Sequence, residues 1–422
     1  MTIIGVNMAR QVPPLFIIIF LLLSIQLISA EKNISMKFSD LETWMIKNSP
    51  EFMLTDQEKR LNKLTEYIEA GLPFTNPEFS YKNESLNDGG DSETEQEFEF
   101  SKVFEMPWIY SARRSGWRYW KSAIELSTQH RKNELLALMR SGYINLVLKR
   151  KNLQEYKNTG AILKGLLETV NRKEKEGFVS PMNRRMIELA LSMMNIRIIE
   201  MEFELASSEK RWKQSAGINT DTKVELTTGI SYIPLEINSL ERILKLYRSS
   251  PGFRQWEFHG KELNEKIAVE KMGFLPEITL GAGFKKVTDG PKGPVFGISF
   301  GIPLLNRNTI MVKKAKLEKE IHNSRMAWSV RNSIDEITAR YGIILKYRAA
   351  LNGMKTPPVS PSIEILPLLD AFNEGTIDVN DLIGGIQLHM EGMKDFHSSL
   401  VRYYHNIFKI ESRTGETIVT FN

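Results

Sequence analysis

The stretch "EFSKVFEMPWIYSARRSGWRYW", residues 99–120, begins as an alternating strand and turns at Pro107 into aromatics and arginines at helical spacing. Its counterpart "GISFGIPLLNRNTIMVKKAK", residues 297–316, passes from alternating strand through Pro303 into a lysine-rich helix. A chain that writes strand, proline and long polar helix twice calls for a search for repeats before anything else. Gly177 and Gly375 are 198 residues apart, as are Gly217 and Gly415; Pro77 and Pro276 differ by 199, and Pro107 and Pro303 by 196. Four landmarks keep one register, so the chain reads as two internal repeats.

Each repeat has the same parts. "PEFSYKNESL", residues 77–86, puts Phe79 and Tyr81 on one face, and "QEFEFSKVFE", residues 96–105, does so with Phe98 and Phe100, across a turn in "NDGGDSE". In the second repeat Ile278, Leu280, Ala282 and Phe284 alternate, "VTDGPKGP" turns the chain, and Phe296, Ile298, Phe300 and Ile302 follow. Strict period two separates an apolar from a polar surface, as in any half-buried hairpin. After each hairpin the apolar spacing becomes helical, through Trp117, Trp120, Ile124, Leu135, Met139, Tyr143, Leu146, Leu163, Leu166 and Val170. Pro107 to Gly177 is 70 residues, roughly 100 Å of helix. Return helices are predicted through Met186, Leu189, Ala190, Met193, Ile196 and Ile199 towards Trp212, and through Leu382, Ile386, Met393, Phe396 and Leu400 towards Phe408. At the two turns Gly177 and Gly375 can end a helix in the left-handed conformation. Ser180 and Asp378, three residues on, cap the next one, with Pro181 suited to its first turn.

Residues 1–30, "MTIIGVNMARQVPPLFIIIFLLLSIQLISA", carry one basic residue, an apolar run from Leu15 to Ile28 and a small-residue ending. They read as a secretory signal peptide cut after Ala30, since the run is short for a span needing ~20 residues. The whole chain has a formal net charge of +5, too mild to argue for nucleic acid. It has no cysteine, which excludes disulfides, thiolate metal sites and a lipidated cysteine. The expected division is a signal peptide at 1–30, a first repeat over 31–217, and a linker with the second repeat over 218–422.

The ordered series "NPEFSYKNESLNDGG…EFSKVFEMPWIYSARR", the "EGFVSP" turn, "LPEITLGAGF…GISFGIPLLNRNTIMVKKAKLEKE" and the Gly375 turn resembles the TolC-type outer membrane efflux proteins. Among them it is most similar to the branch serving cobalt–zinc–cadmium-type cation exporters. The resemblance covers Asn76 to Gly415 and rests on the order of parts, not on one motif. It implies an α+β, TolC-like fold and a homotrimer. Each chain would give four β-strands to a shared β-barrel in outer membrane lipid and long antiparallel helices to a periplasmic α-barrel. It also implies a periplasmic adaptor and an inner membrane pump as partners, solute export that extends to metal cations, and adaptor contact at Gly177, Val179, Ser180, Gly375 and Ile377. Physics adds that an open four-stranded sheet in lipid leaves backbone groups unpaired, so such a chain must oligomerise.

Two features depart from the pattern. Glu93, Glu95, Glu97 and Glu99 share one strand face, which suits a lumen and not lipid. "KTPPVSPS", residues 355–362, should break or kink the second long helix. The linker "INTDTKVELTTGISYIPLEINSLERI", residues 218–243, is expected around the waist of the helices.

No chemistry of catalysis is legible. "GAGFKK", residues 281–286, lacks a third glycine and a following helix, and no G-x-S-x-G or H-E-x-x-H occurs. His389, His397 and His405 step by eight residues, ~12 Å of helix; they read as a solvated or pore-lining stripe and not as one metal site. No catalytic residue, metal ligand or cofactor is expected. Glu374, Asp378 and Asp381 cluster at the second turn. Repeated by three-fold symmetry they would ring a pore mouth; read locally, Asp378 caps and Asp381 meets the helix dipole. Two other readings stand beside the efflux duct: an outer membrane duct for type I protein secretion, and a soluble periplasmic coiled-coil adaptor.

Overall fold

The computed structural model describes residues 33–421, apart from 70–75, 89–90, 235–238, 274–276, 288–289, 302–307 and 354–360. The expected signal peptide at 1–30, the loop at Gly89 and Gly90, and Pro303 lie outside the described residues. The first half of the chain runs β1 (Ile34–Met36), α1 (Leu41–Asn48), α2 (Pro50–Glu69), β2 (Glu78–Asp88), β3 (Asp91–Phe104), α3 (Pro107–Lys175) and α4 (Pro181–Ala216). The second runs β4 (Val224–Leu226), α5 (Leu240–Ser249), α6 (Pro251–Met272), β5 (Ile278–Val287), β6 (Lys292–Phe300), α7 (Thr309–Gly353), α8 (Pro361–Asn373) and α9 (Val379–Thr414). Among the described residues the same order of elements occurs twice, with α7 and α8 in the place of α3.

The two hairpins join into one antiparallel sheet in the order β2-β3-β5-β6. The seam between them is set by Phe98 opposite Phe284 and Phe104 opposite Ile278. Beyond the sheet, α3 extends for 69 residues, ~100 Å. Its one proline, Pro107, sits at the first turn, where a missing N–H breaks no bond. The described part of α7 runs to Gly353 and α8 starts at Pro361, where proline fits a first turn; the expected break at 355–362 falls almost wholly outside the described residues. Along its first part α3 is flanked by α2 and α6; along its second, by α4 and α9, with α7 beyond α6 and α9.

Apolar stripes on these helices meet in two cores. The larger lies at mid-length and centres on Tyr143, Tyr403, Tyr404 and Phe408, all fully buried, with Phe38, Trp212 and Phe421 around them. The linker is fastened there. Strand β4 pairs in parallel with β1, and the Tyr143 hydroxyl donates to the Met36 carbonyl (3.0 Å) while accepting from Thr228 N–H (3.1 Å). The Tyr404 hydroxyl donates to Ser231 O (2.7 Å) and accepts from Ile233 N–H (2.9 Å). Both buried hydroxyls give and take a hydrogen bond, so neither is left unpaired in the core. The second core, at the far end of the helices, gathers Leu163, Leu166, Val170, Ile187, Ile365, Val379, Leu382 and Ile386.

Close approach at mid-length depends on Gly142. A β-carbon there would stand 2.5 Å from Cδ1 of Trp212, whose indole N–H donates to Met139 O at 3.2 Å. Gly142→Ala is therefore expected to displace Trp212 and destabilise the fold by roughly 1–3 kcal/mol, the usual cost of overpacking. Denaturant unfolding followed by tryptophan fluorescence checks it; an unchanged midpoint would contradict the packing described.

Candidate functional site

The sheet has two chemically opposite faces. Register places Phe79, Tyr81, Phe98, Phe100, Phe104, Ile278, Leu280, Phe284, Phe296, Ile298 and Phe300 on one of them. Most of these are strongly exposed in the single chain: Phe79 is 66% accessible, Phe296 80% and Ile298 73%. From Ile278 to Phe284 the band is ~20 Å tall, at ~3.3 Å per residue. The other face carries Glu95, Glu97 and Glu99 with small residues. Lys285 forms an ion pair with Glu95, Lys82 pairs with Glu84 at 2.6 Å, and the Glu99 carboxylate lies over Gly281. The fourth carboxylate of the sequence pattern, Glu93, has its side chain outside the described residues.

At the opposite end of the molecule stand the two helical turns. Gly177 (φ +81°) and Gly375 (φ +77°) are left-handed, which ends α3 and α8 without steric cost. Phe178 N–H closes back to Lys173 O and Thr376 N–H to Ala371 O, both at 2.9 Å, the six-to-one bonds of a Schellman ending. Ser180 accepts from Asn183 N–H (3.3 Å). Asp378 accepts from Asp381 N–H (2.9 Å), and the Asp381 carboxylate accepts from Asp378 N–H (3.4 Å), a reciprocal capping box. Both aspartates thus have a local role, while Glu374 is exposed beside them. Val179 and Ile377 turn inward onto the tip core, and Gly177, Ser180 and Gly375 face solvent. The sequence reading missed Phe178 and Met182, which project beside Gly177 at 78% and 67% accessibility. The signal was available, because apolar residues just outside a capped turn have no core to enter.

The histidine reading needs correction. His389, His397 and His405 form no solvated or pore-lining stripe. They lie along the seams of α9: His397 is buried against Asn152, His405 bonds Ser141 at 3.2 Å, and His389 meets Glu364 at 2.7 Å. Eight residues advance a helix by more than two full turns, so the three do not share one face. Burial, reinforced by Lys151, pushes His397 down to about 4. Elsewhere, His259 of α6 and His322 of α7 stack edge-on at 4.7 Å. Burial first, then its neighbour, holds His259 at about 4. Among the described residues no group of three His, Cys, Asp or Glu side chains could hold a metal ion. No described helix is long and apolar enough to cross a membrane.

No protein-family model matches the sequence, and no curated protein matches it. Solved structures do. The chain is similar to CusC, a protein studied for folding and transmembrane channel formation, at 11% identity and TM-score 0.74 over 89% of this chain and 91% of that one. It is similar to the outer membrane protein VceC of Vibrio cholerae at 10% identity and TM-score 0.72, covering 90% and 97%. The Campylobacter jejuni outer membrane channel CmeC matches at 15% identity and TM-score 0.71, covering 90% and 85%. The chain thus has the fold of outer membrane channels of the TolC type, mostly helical with a small sheet.

Buried neutral histidines tie stability to pH. Their folded values lie below the unfolded ~6.5, so the unfolded chain binds more protons between pH ~6.5 and ~4. The stabilisation is complete above ~6.5 and is lost as pH falls through about 4. The melting temperature is expected to drop by on the order of a few degrees across that window, and by less in His397→Gln. Equal slopes for parent and variant would refute the burial account of His397.

Proposed function

We propose that this chain is the outer membrane exit duct of a tripartite efflux system, passing solutes delivered by an inner membrane pump through a periplasmic adaptor, without catalysis. The observation that carries the reading is the sheet: apolar side chains displayed outward on one face, carboxylates on the other, beside α3, a helix ~100 Å long. Water penalises so much exposed aromatic surface, whereas lipid does not. A soluble scaffold has no use for it.

Assembly as a homotrimer is supported by the edges. Among the described residues strands β2 and β6 have no outer neighbour, and backbone edges are not tolerated in lipid. Three copies joined head to tail would close a ~12-stranded barrel. The helices fit the same ring. On the α2 and α4 flank, Leu54, Leu61, Leu64, Leu189, Met193, Ile196 and Phe203 are exposed; on the α7 flank, Ile310, Leu317, Ile321 and Trp328 are. The α7 set steps by seven and four, the spacing of a helix–helix seam. Such a ring turns Glu95, Glu97 and Glu99 towards the lumen, where stacked carboxylates favour cations; metal cations are accordingly our first candidates for cargo. Residues 1–30 would direct export to the periplasm, and the Gly177 and Gly375 tips, with Val179, Ser180 and Ile377, would meet the adaptor.

Expressed in a Gram-negative host, the protein should resist carbonate extraction and give covalent trimers with an amine-reactive crosslinker. A chain washed off as a monomer would overturn the proposal. Introducing Ile196→Asp with Phe203→Asp should cut the trimer yield at least tenfold while leaving the helical circular dichroism intact. For the tips, Phe178→Asp with Met182→Asp should abolish crosslinking to a co-expressed periplasmic adaptor that the parent captures, yet preserve trimers; undiminished crosslinking would refute docking there.

A further inference from the structure

Strand register sorts the charges of the sheet by face. All carboxylates on the described strand side chains, Glu78, Glu84, Glu95, Glu97 and Glu99, fall on the polar face together with Lys82 and Lys285. The apolar face has no carboxylate among the described residues, and its charges there are lysines: Lys102 at the helix end, and Lys286 and Lys292 at the hairpin end, beyond Phe284 and Phe296. Lys286 and Lys292 stand directly opposite each other on β5 and β6. At that position β-carbons are ~5 Å apart and like charges repel. Both side chains are exposed, and neither has an ion-pair partner among the described residues. The adjoining residue behaves oppositely, for Lys285 faces the carboxylates and pairs with Glu95. Gln96, opposite Lys286 on β3, and Asn83, opposite Gln96 on β2, extend the same patch with amide donors.

Among the described residues this cross-strand lysine pair has no acid on its side, and the like charges repel each other until an anion sits between the two ammonium groups. At the rim of an apolar band the available anion is a lipid phosphate, whose oxygens suit charge-assisted hydrogen bonds. We propose that Lys286 and Lys292, assisted by Gln96, bind the phosphate of an anionic lipid headgroup in the leaflet on the hairpin side. The inference rests on the membrane-embedded reading of the sheet. The polar-face pair Lys82 and Lys285 lies at a similar height but turns inward, so it serves as an internal control.

The test uses the full chain reconstituted into phosphatidylcholine vesicles with or without phosphatidylglycerol, then released into neutral detergent for native mass spectrometry. Lys286→Gln with Lys292→Gln should insert normally into phosphatidylcholine but retain less phosphatidylglycerol, by about fivefold per lysine. Lys82→Gln with Lys285→Gln should retain it as the parent does, and Lys286→Arg with Lys292→Arg should rescue it. Equal phosphatidylglycerol retention by parent and Lys286/Lys292 variant, or equal loss in the Lys82/Lys285 variant, would overturn the site while leaving the membrane reading intact. Failure of the parent to insert into either vesicle would defeat the membrane reading itself and the site with it.

Discussion

Backbone hydrogen bonding is the constraint from which the rest follows. A sheet of four strands satisfies its interior ladders and, among the described residues, leaves the outer N–H and C=O groups of β2 and β6 open. In water those groups are solvated at little cost. In hydrocarbon each costs several kcal/mol, and an edge of many such groups together outweighs what the side chains of one strand recover. The phenylalanines and isoleucines of the apolar face therefore cannot enter lipid as a single chain, and the edges have to be closed by further copies. Once the sheet is committed to a ring, every helix below it is committed too, because α3 continues from β3 after only two residues.

That coupling explains the placement of the cores. In the proposed ring the wall would be one helix thick with little interior of its own, so stability is concentrated where extra elements thicken it. At mid-length β1, β4, α1, α5 and the tail around Phe421 wrap the wall and bury the tyrosine cluster. Arg413 braces the same level, bonding Glu134 at 3.0 Å from one nitrogen and Glu336 at 3.0 and 3.1 Å from two others, which ties α9 to α3 and α7. A fork of fixed geometry suits this task better than a flexible ammonium would. Between waist and tip the wall thins again, and there α4 leaves Leu189, Met193, Ile196 and Phe203 uncovered.

Much of this was legible in the residues. Period two located both hairpins to within a few positions, and Gly-x-x-Ser and Gly-x-x-Asp located both tips, because caps are local chemistry that tertiary packing seldom overrides. Helices α2 and α6 were not seen: Ser49–Pro50 and Ser250–Pro251 start them, but polar residues dominate their exposed sides and hide the apolar spacing. The burial of His397 was not legible either. Its environment is made by Asn152, 245 residues away in sequence, and no periodicity along one helix reports such a neighbour. Apolar positions on α4 could be recognised as a face, but a sequence does not say whether a face is covered by its own chain or by another copy.

The acidic residues at the second tip show why local and collective readings need not compete. Asp378 and Asp381 are held by each other's backbone N–H groups at a helix N-terminus, where the aligned peptide dipoles favour negative charge. In a three-fold ring the same carboxylates would face their symmetry mates and repel them. The capping bonds fix the position of those charges and offset their local cost, so the repulsion acts on the spacing between tips and not on the fold of any one of them. In the proposed trimer a closed mouth built this way would be held shut by the seams between helices and opposed by its own charge, and the proposed adaptor contact at the neighbouring Gly375 and Ile377 would tip that balance with little rearrangement of either core.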